Sequence, residues 1–226
     1  MKATSGQLPN ILLLVTDQFR YDAFTSDVTP HLWRLAHGTP GSVVFDRAYS
    51  STPTCTPARA ALLTGKSPWS HGMLGYAQYA DCGDYPTTFP RILREWVDYT
   101  TVAVGKNHFG PVSHIQRYQH QAIYDGLPEI FDDYDAWFNE TMPNMDPLAT
   151  CGLQWNDWRA CPYYYDEYVH PTSWTTRKAI QYMENYFSST EHQEAEQSST
   201  RTQPSPLLLK VSYHRPHSPY DPPRRI

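Results

Sequence analysis

The 226 residues carry a formal net charge of −5 with no block of like charges, which points away from nucleic acid and anionic membrane surfaces as partners. The chain is long enough to bury one sizeable core and need not hold more than one domain. Its apolar run from Ile11 to Val15 is far too short to span a bilayer, and Met1 to Gln7 contains no apolar signal core, so the compartment stays open.

Ile11-Leu12-Leu13-Leu14-Val15 ends in Thr16-Asp17-Gln18. It reads as a buried strand of a parallel sheet with polar groups at its carboxyl end, where ligands bind in open α/β sheets. Thr29-Pro30 starts a helix, a cap followed by proline in the first turn. Leu32, Leu35 and Ala36 lie on one face of it, and Gly38 is the stop. Val43-Val44-Phe45 suggests a second short strand. Next comes Cys55-Thr56-Pro57-Ala58-Arg59, followed by Ala60-Ala61-Leu62-Leu63-Thr64-Gly65. A cysteine just before a proline that can open a helix sits where backbone N–H groups point outward. That position favours negative charge and suits a nucleophile attacking an anionic ester. Arg59 follows one helical turn later and can fold back on it.

Phe89 to Val97 carries Ile92, Leu93 and Trp96 at helical spacing, and Thr100 to Val104 reads as a buried strand ending at Gly105-Lys106-Asn107-His108-Phe109-Gly110. Ser113 to Pro171 has no clear period, and Asp132-Asp133 within it reads as a solvated or substrate-facing loop. Thr172 to Phe187 is helical in pattern, with Ile180, Met183 and Phe187 on one stripe. Residues 188–206 are polar and read as a mobile surface loop. Leu207 to Tyr213 is a last strand, leading into His214-Arg215-Pro216-His217-Ser218-Pro219-Tyr220. The alternation of strand and helix argues for an α/β layer fold.

Several other chemistries drop out. Cys55, Cys82, Cys151 and Cys161 contain no Cys-x-x-Cys pair, which argues against a zinc site; Cys151 and Cys161 are close enough for a local disulfide. A phosphatase loop, with cysteine and arginine six positions apart, fails because position 61 is alanine. Asn139-Glu140-Thr141 is a glycosylation sequon that matters only in the secretory pathway. Aromatics make up 14%, many of them between Tyr118 and Tyr186, and suit either a sugar or aryl pocket or a core.

The cysteine segment resembles the signature of the type I sulfatases, whose cysteine is oxidised to formylglycine. The likeness extends to Pro9-Asn10-Ile11 through Asp17, to Thr29-Pro30-His31-Leu32 through Gly38, and to Pro216-His217-Ser218-Pro219-Tyr220. Gly105 to Gly110 is similar to the family's Gly-Lys-Trp-His-Leu-Gly element, departing at Asn107 and Phe109. The resemblance implies an alkaline-phosphatase-like α/β fold, a mixed, mostly parallel sheet sandwiched by helices, with 1–226 as the amino-terminal half of one catalytic domain. The family's second pair of metal ligands and a further lysine belong to a carboxyl-terminal half, which this reading finds absent. On that reading the chain alone would expose a sheet edge and apolar surface and be poorly soluble.

The same resemblance implies a sulfuric ester hydrolase in which Asp17, Gln18 and position 55 bind calcium. Formylglycine derived from Cys55 would be the nucleophile. Arg59 would stabilise its ionised hydroxyl, Lys106 would neutralise sulfate oxygens, His108 would act as base, and His217 would bind sulfate or protonate the leaving oxygen. The partners implied are a sulfated small molecule or carbohydrate and a formylglycine-generating enzyme. Many sulfatases have aspartate where Gln18 stands. Glutamine there also occurs in relatives that cleave choline sulfate or phosphonate and phosphate esters. A phosphonate or phosphodiester hydrolase and an inactive fragment are therefore the alternatives.

Overall fold

The computed structural model describes residues 8–75, 80–81, 85–110, 118–127, 130–147, 152–154, 156–189 and 205–225. A four-stranded sheet forms the centre: β1 (Ile11–Thr16), β3 (Thr100–Gly105), β5 (His120–Ile123) and β6 (Leu207–Tyr213), in the order β1-β6-β3-β5. All of its pairings are parallel. Two further short strands, β2 (Ala80–Asp81) and β4 (Phe109–Gly110), pair in parallel beside it. The helices are α1 (Pro30–Gly38), α2 (Cys55–Thr64), α3 (Pro68–His71), α4 (Phe89–Val97), α5 (Asp133–Thr141) and α6 (Pro171–Phe187).

The central strands β3 and β6 are buried on both faces, so their sequences lack alternation. Val102, Val104, Leu207, Leu209 and Val211 pack with Tyr134, Phe138, Trp174 and Ala179 of α5 and α6. On the opposite face, Ala103 and Leu208 meet Tyr99, Phe89, Leu93 and Val97 from the α4 region. A third cluster, Ala60, Leu63, Tyr85, Phe109 and Ile123, seats α2 against the sheet. Parallel pairing brings the carboxyl ends to one edge: Thr16 pairs with Tyr213, and Gly105 pairs with both Ser212 and Ile123. Asp17, Lys106 and Asp125 therefore emerge side by side, beyond the strand ends.

Several expectations need correction. The strand at Ile11 to Val15 forms, but as an edge strand among the described residues. Alternate residues Leu12 and Leu14 are exposed, because no described element covers that face. Val43 to Phe45 forms no strand; three apolar residues find no ladder partner and lie exposed. In α1 the expected apolar face is also outward, with Leu32 and Leu35 exposed, while Trp33 stacks on His37 and packs near Phe24. Thr29 stands at the cap of α1, but its hydroxyl donates to Thr25 O rather than to the helix N–H groups.

In α4, Trp96 points to solvent while Ile92 and Leu93 are partly buried. In α6 the buried face is Trp174, Thr175 and Ala179 with Met183 packed against them; Ile180 and Phe187 are exposed. The nominally irregular stretch 113–171 contains β5 and α5. Asp132 is no solvated loop residue: it is the buried N-cap of α5, and it forms a capping box with Asp135. Asp133 accepts from Ile123 N at 2.7 Å, tying α5 to β5. Cys161 is disulfide-bonded, and Cys151, its expected partner, lies outside the described residues, as does 190–204 of the expected mobile loop. The sequon Asn139 to Thr141 is exposed on the last turn of α5. Among the described residues no helix is long and apolar enough to cross a membrane.

Candidate active site

Cys55 opens α2, with Thr54 in extended backbone at the cap and Pro57 two positions inside. Pro57 carries no N–H, one of the amides that a first turn leaves without an intrahelical partner in any case. Gly65 closes the helix in the left-handed conformation, its N–H donating to Ala61 O. The thiol sulfur lies 3.8 Å from each carboxylate oxygen of Asp17, at the end of β1. Ligand atoms of Asp17, Cys55 and His217 all fall within 4.8 Å of one another.

Two buried cations press on the same carboxylate. Lys106 Nζ stands 2.6 Å from Asp17 Oδ2 and Arg59 Nη2 stands 3.3 Å from it. Burial raises the Asp17 carboxyl, but Lys106 and Arg59 outweigh it and hold the group below its usual range. Burial pushes the Cys55 thiol up and the Asp17 charge adds to this, so the unmodified thiol is a poor thiolate. Lys106 is lowered by burial, with Asp17 opposing.

Arg59 is also a strut. Its Nη1 donates to Lys106 O at 2.9 Å and to Ser212 Oγ at 3.0 Å, joining α2 to the ends of β3 and β6. His108 is buried with φ of 66°, in the left-handed region. Burial, then the charges of Lys106 and Arg59, drive it down to about 3, so it is a neutral imidazole at ordinary pH. His217 Nδ1 lies 2.7 Å from Ser218 O, a carbonyl that only accepts; Nδ1 therefore carries the hydrogen, and Nε2 is the acceptor nitrogen. Burial, reinforced by Lys106, lowers His217 as well. Its loop is strapped by Arg215, whose guanidinium grips Asp221 at 2.5 and 2.7 Å, with His170 3.6 Å from the same carboxylate.

Every residue singled out in the sequence thus reaches one edge of the sheet, but not equally. Asp17, Cys55, Arg59, Lys106 and His217 converge. His108 borders them through the charges it feels, and Gln18 is exposed with φ of 60° in the cleft that Asp17, Cys55 and Arg59 also line. That cleft has a volume of about 560 Å³ and takes in Phe19 and Tyr49. Sequence reading missed Ser212, Asp125 and Lys210. A charged residue inside the apolar run Leu207 to Val211 was the available signal for Lys210. No comparable signal marked Asp125, because the strand before it is only four residues long.

Asp17, Cys55 and His217 offer a carboxylate oxygen, a sulfur and an imidazole nitrogen close enough together to hold one divalent metal ion, beside the two cations that pair with Asp17. The sequence model of the sulfatase family, described as "Sulfatase", matches residues 9–226. An arylsulfatase of Clostridium perfringens is 32% identical over 96% of this chain and 45% of its own length. The N-acetylgalactosamine-6-sulfatase of Canis lupus familiaris is 31% identical over 74% of this chain and 33% of its own. The chain thus spans less than half the length of these curated relatives. Two phosphonate monoester hydrolase structures share the fold. That of Agrobacterium radiobacter has a TM-score of 0.66 at 21% identity, covering 96% of this chain and 43% of its own. That of Silicibacter pomeroyi has 0.69 at 19%, with the same coverage.

Proposed function

Since the chain belongs to the sulfatase family, we propose that it carries the nucleophile side of a sulfuric ester hydrolase that releases sulfate from a sulfate ester. The observation that supports this reading is the convergence of Cys55, Asp17 and His217 within 4.8 Å, with Lys106 and Arg59 on the same carboxylate. Cys55 is converted to formylglycine by a formylglycine-generating enzyme, whose hydrated aldehyde supplies the nucleophilic oxygen. Asp17, the amide oxygen of Gln18 and the oxygen at position 55 would hold calcium, with His217 near the same cluster, and the ion would supply Lewis acidity there.

The remaining groups act directly. Lys106 presents positive charge where sulfate oxygens gather charge and Arg59 stabilises the ionised hydroxyl at position 55; both are buried, so water screens them little. His108, neutral at working pH, takes the proton from the second hydroxyl at position 55 as sulfate leaves. His217, in the tautomer fixed by Ser218 O, points an acceptor nitrogen inward; to protonate a leaving oxygen it must first take up a proton. The substrate is a sulfated carbohydrate or aryl sulfate.

Mass spectrometry of the peptide spanning position 55, together with turnover of an aryl sulfate, tests this reading. Aldehyde at position 55, and no turnover by Cys55→Ala, are the expected results; normal turnover by that alanine variant would sink the mechanism. Gln18 keeps a second leaving group in view, a phosphonate or phosphate ester. A higher kcat/KM for an aryl phosphonate than for the aryl sulfate would favour it.

A further inference from the structure

The catalytic-loop residues Lys106 and His108 leave open what holds their backbone. Asp125 follows β5 and is wholly buried. Its Oδ1 accepts from Asn107 N at 2.6 Å and from His108 N at 2.9 Å. Its own N–H donates to Asp132 Oδ2 at 2.8 Å, which anchors it to the cap of α5. The backbone it grips needs such a hold, because His108 has φ of 66°, a conformation that costs about 1–3 kcal/mol for a residue other than glycine.

From the other side, Lys210 reaches the same loop. It is the one charged residue of β6 and is wholly buried, with its Nζ 2.5 Å from Asn107 Oδ1. Arg59 grips the third member of the loop, the carbonyl of Lys106, at 2.9 Å. Each of three consecutive residues is therefore held by a buried, charged side chain. Burial pushes the Asp125 carboxyl up, opposed by the N–H groups of Asn107 and His108 and by the charges of Arg59 and Lys106. Asn107 is also the position at which the loop departs from the family's tryptophan, and its amide is what links Lys210 to the loop.

We propose that Asp125 is a positioning residue that sets the directions of Lys106 and His108 through the amides of Asn107 and His108. Lys210 holds the same loop from the other side, through the Asn107 side chain. This rests on the sulfatase reading only for what the loop is positioned to do; the grip on the loop stands apart from it.

Amide hydrogen exchange and steady-state kinetics in the purified protein test the proposal, with rates normalised to the fraction of position 55 carrying the aldehyde. Asp125→Ala should speed exchange at Asn107 and His108 about tenfold or more while Val102 to Val104 keep their protection. Its kcat for an aryl sulfate should fall about a hundredfold, with KM changed less than about threefold. Asp125→Asn keeps an acceptor oxygen and should bring exchange back to within about threefold of wild type. Unchanged exchange in Asp125→Ala overturns the proposal, and so does faster exchange with unchanged kcat. If the wild-type protein turns over no sulfate ester, the functional reading fails, and the exchange result alone decides the grip. Lys210→Met decides it where Asp125→Ala does not fold: faster exchange at Asn107 supports the buried grip on the loop, and unchanged exchange overturns it.

Discussion

Replacing Arg59 with methionine tests whether this residue builds the site as well as serving in it. Methionine refills most of the volume, so the loss is chiefly polar. The guanidinium leaves behind Lys106 O and Ser212 Oγ, at 2.9 and 3.0 Å, where the surroundings are buried. Stranding each of those acceptors costs about 1–3 kcal/mol, about 2–6 kcal/mol for the two. The third contact, 3.3 Å to Asp17 Oδ2, is half of a shared ion pair in which Lys106 remains at 2.6 Å. Because a cation stays in place, that term lies well below the roughly 3–5 kcal/mol of a fully orphaned buried charge, at about 1–2 kcal/mol. The sum is a loss of about 3–8 kcal/mol, read from urea unfolding as a lower midpoint at unchanged m. Arg59→Lys restores the charge but not the planar fork that reaches three acceptors, so it should recover less than half of the loss. A loss under about 1 kcal/mol for Arg59→Met would refute the strut. Full recovery by lysine would show that charge alone matters.

Three further outcomes follow from the geometry. Gly105→Ala would place a Cβ 2.1 Å from Ser212 O at φ of +84°, so its thermal midpoint should fall by about 6 °C or more, and a fall under about 3 °C would contradict the close approach. Lys210 is lowered by burial to about 7, with Arg59 adding to the shift and Asp125 opposing it. Between that value and its ordinary 10.5 the unfolded chain binds the proton and the folded chain does not, so stability rises with pH across that window. The gap between wild type and Lys210→Met should therefore move in favour of wild type as pH goes from about 7 to 10, by up to about 1.4 kcal/mol per unit; a flat gap would refute the buried lysine. Finally, calcium added after chelation should raise the thermal midpoint of the wild-type protein and not that of Asp17→Ala, as read by differential scanning fluorimetry; equal shifts would place the cation elsewhere.

Much of this architecture was legible in the residues because the signals are local. The runs Leu207 to Tyr213 and Thr100 to Val104 are short, β-branched or leucine-rich and bounded by polar segments, which suits buried strands. Thr29-Pro30 marks a helix start because proline suits a first turn. What failed were the faces. In α6 the three apolar residues of the expected stripe are less buried than Trp174, Thr175 and Ala179, because neighbouring elements rather than the helix's own period decide which side is covered. His120 to Ile123 was invisible as a strand: it is short, and two of its four residues are polar at the sheet margin. The cap at Asp132 was read as solvated because acidic residues usually are. Burial with backbone N–H partners cannot be inferred from an Asp-Asp pair alone.

The sequence by itself determined the chemistry at each position: a cysteine before Pro57, a carboxylate ending a strand, and a Lys-x-His element after another. Residue type and local spacing are properties of short segments, and the reaction type came only with the family resemblance that those segments carry. Only the tertiary structure decided which of those groups meet. The parallel register aligns the ends of β1, β3 and β6, and this brings Asp17, Arg59 and Lys106 within 3.3 Å contacts across 42 and 47 residues of chain. Long-range pairing also recruited Asp125, Lys210 and Ser212, whose roles depend on burial and on partners far away in sequence. No local pattern carries that information, because desolvation and hydrogen-bond partnership exist only once the sheet has closed.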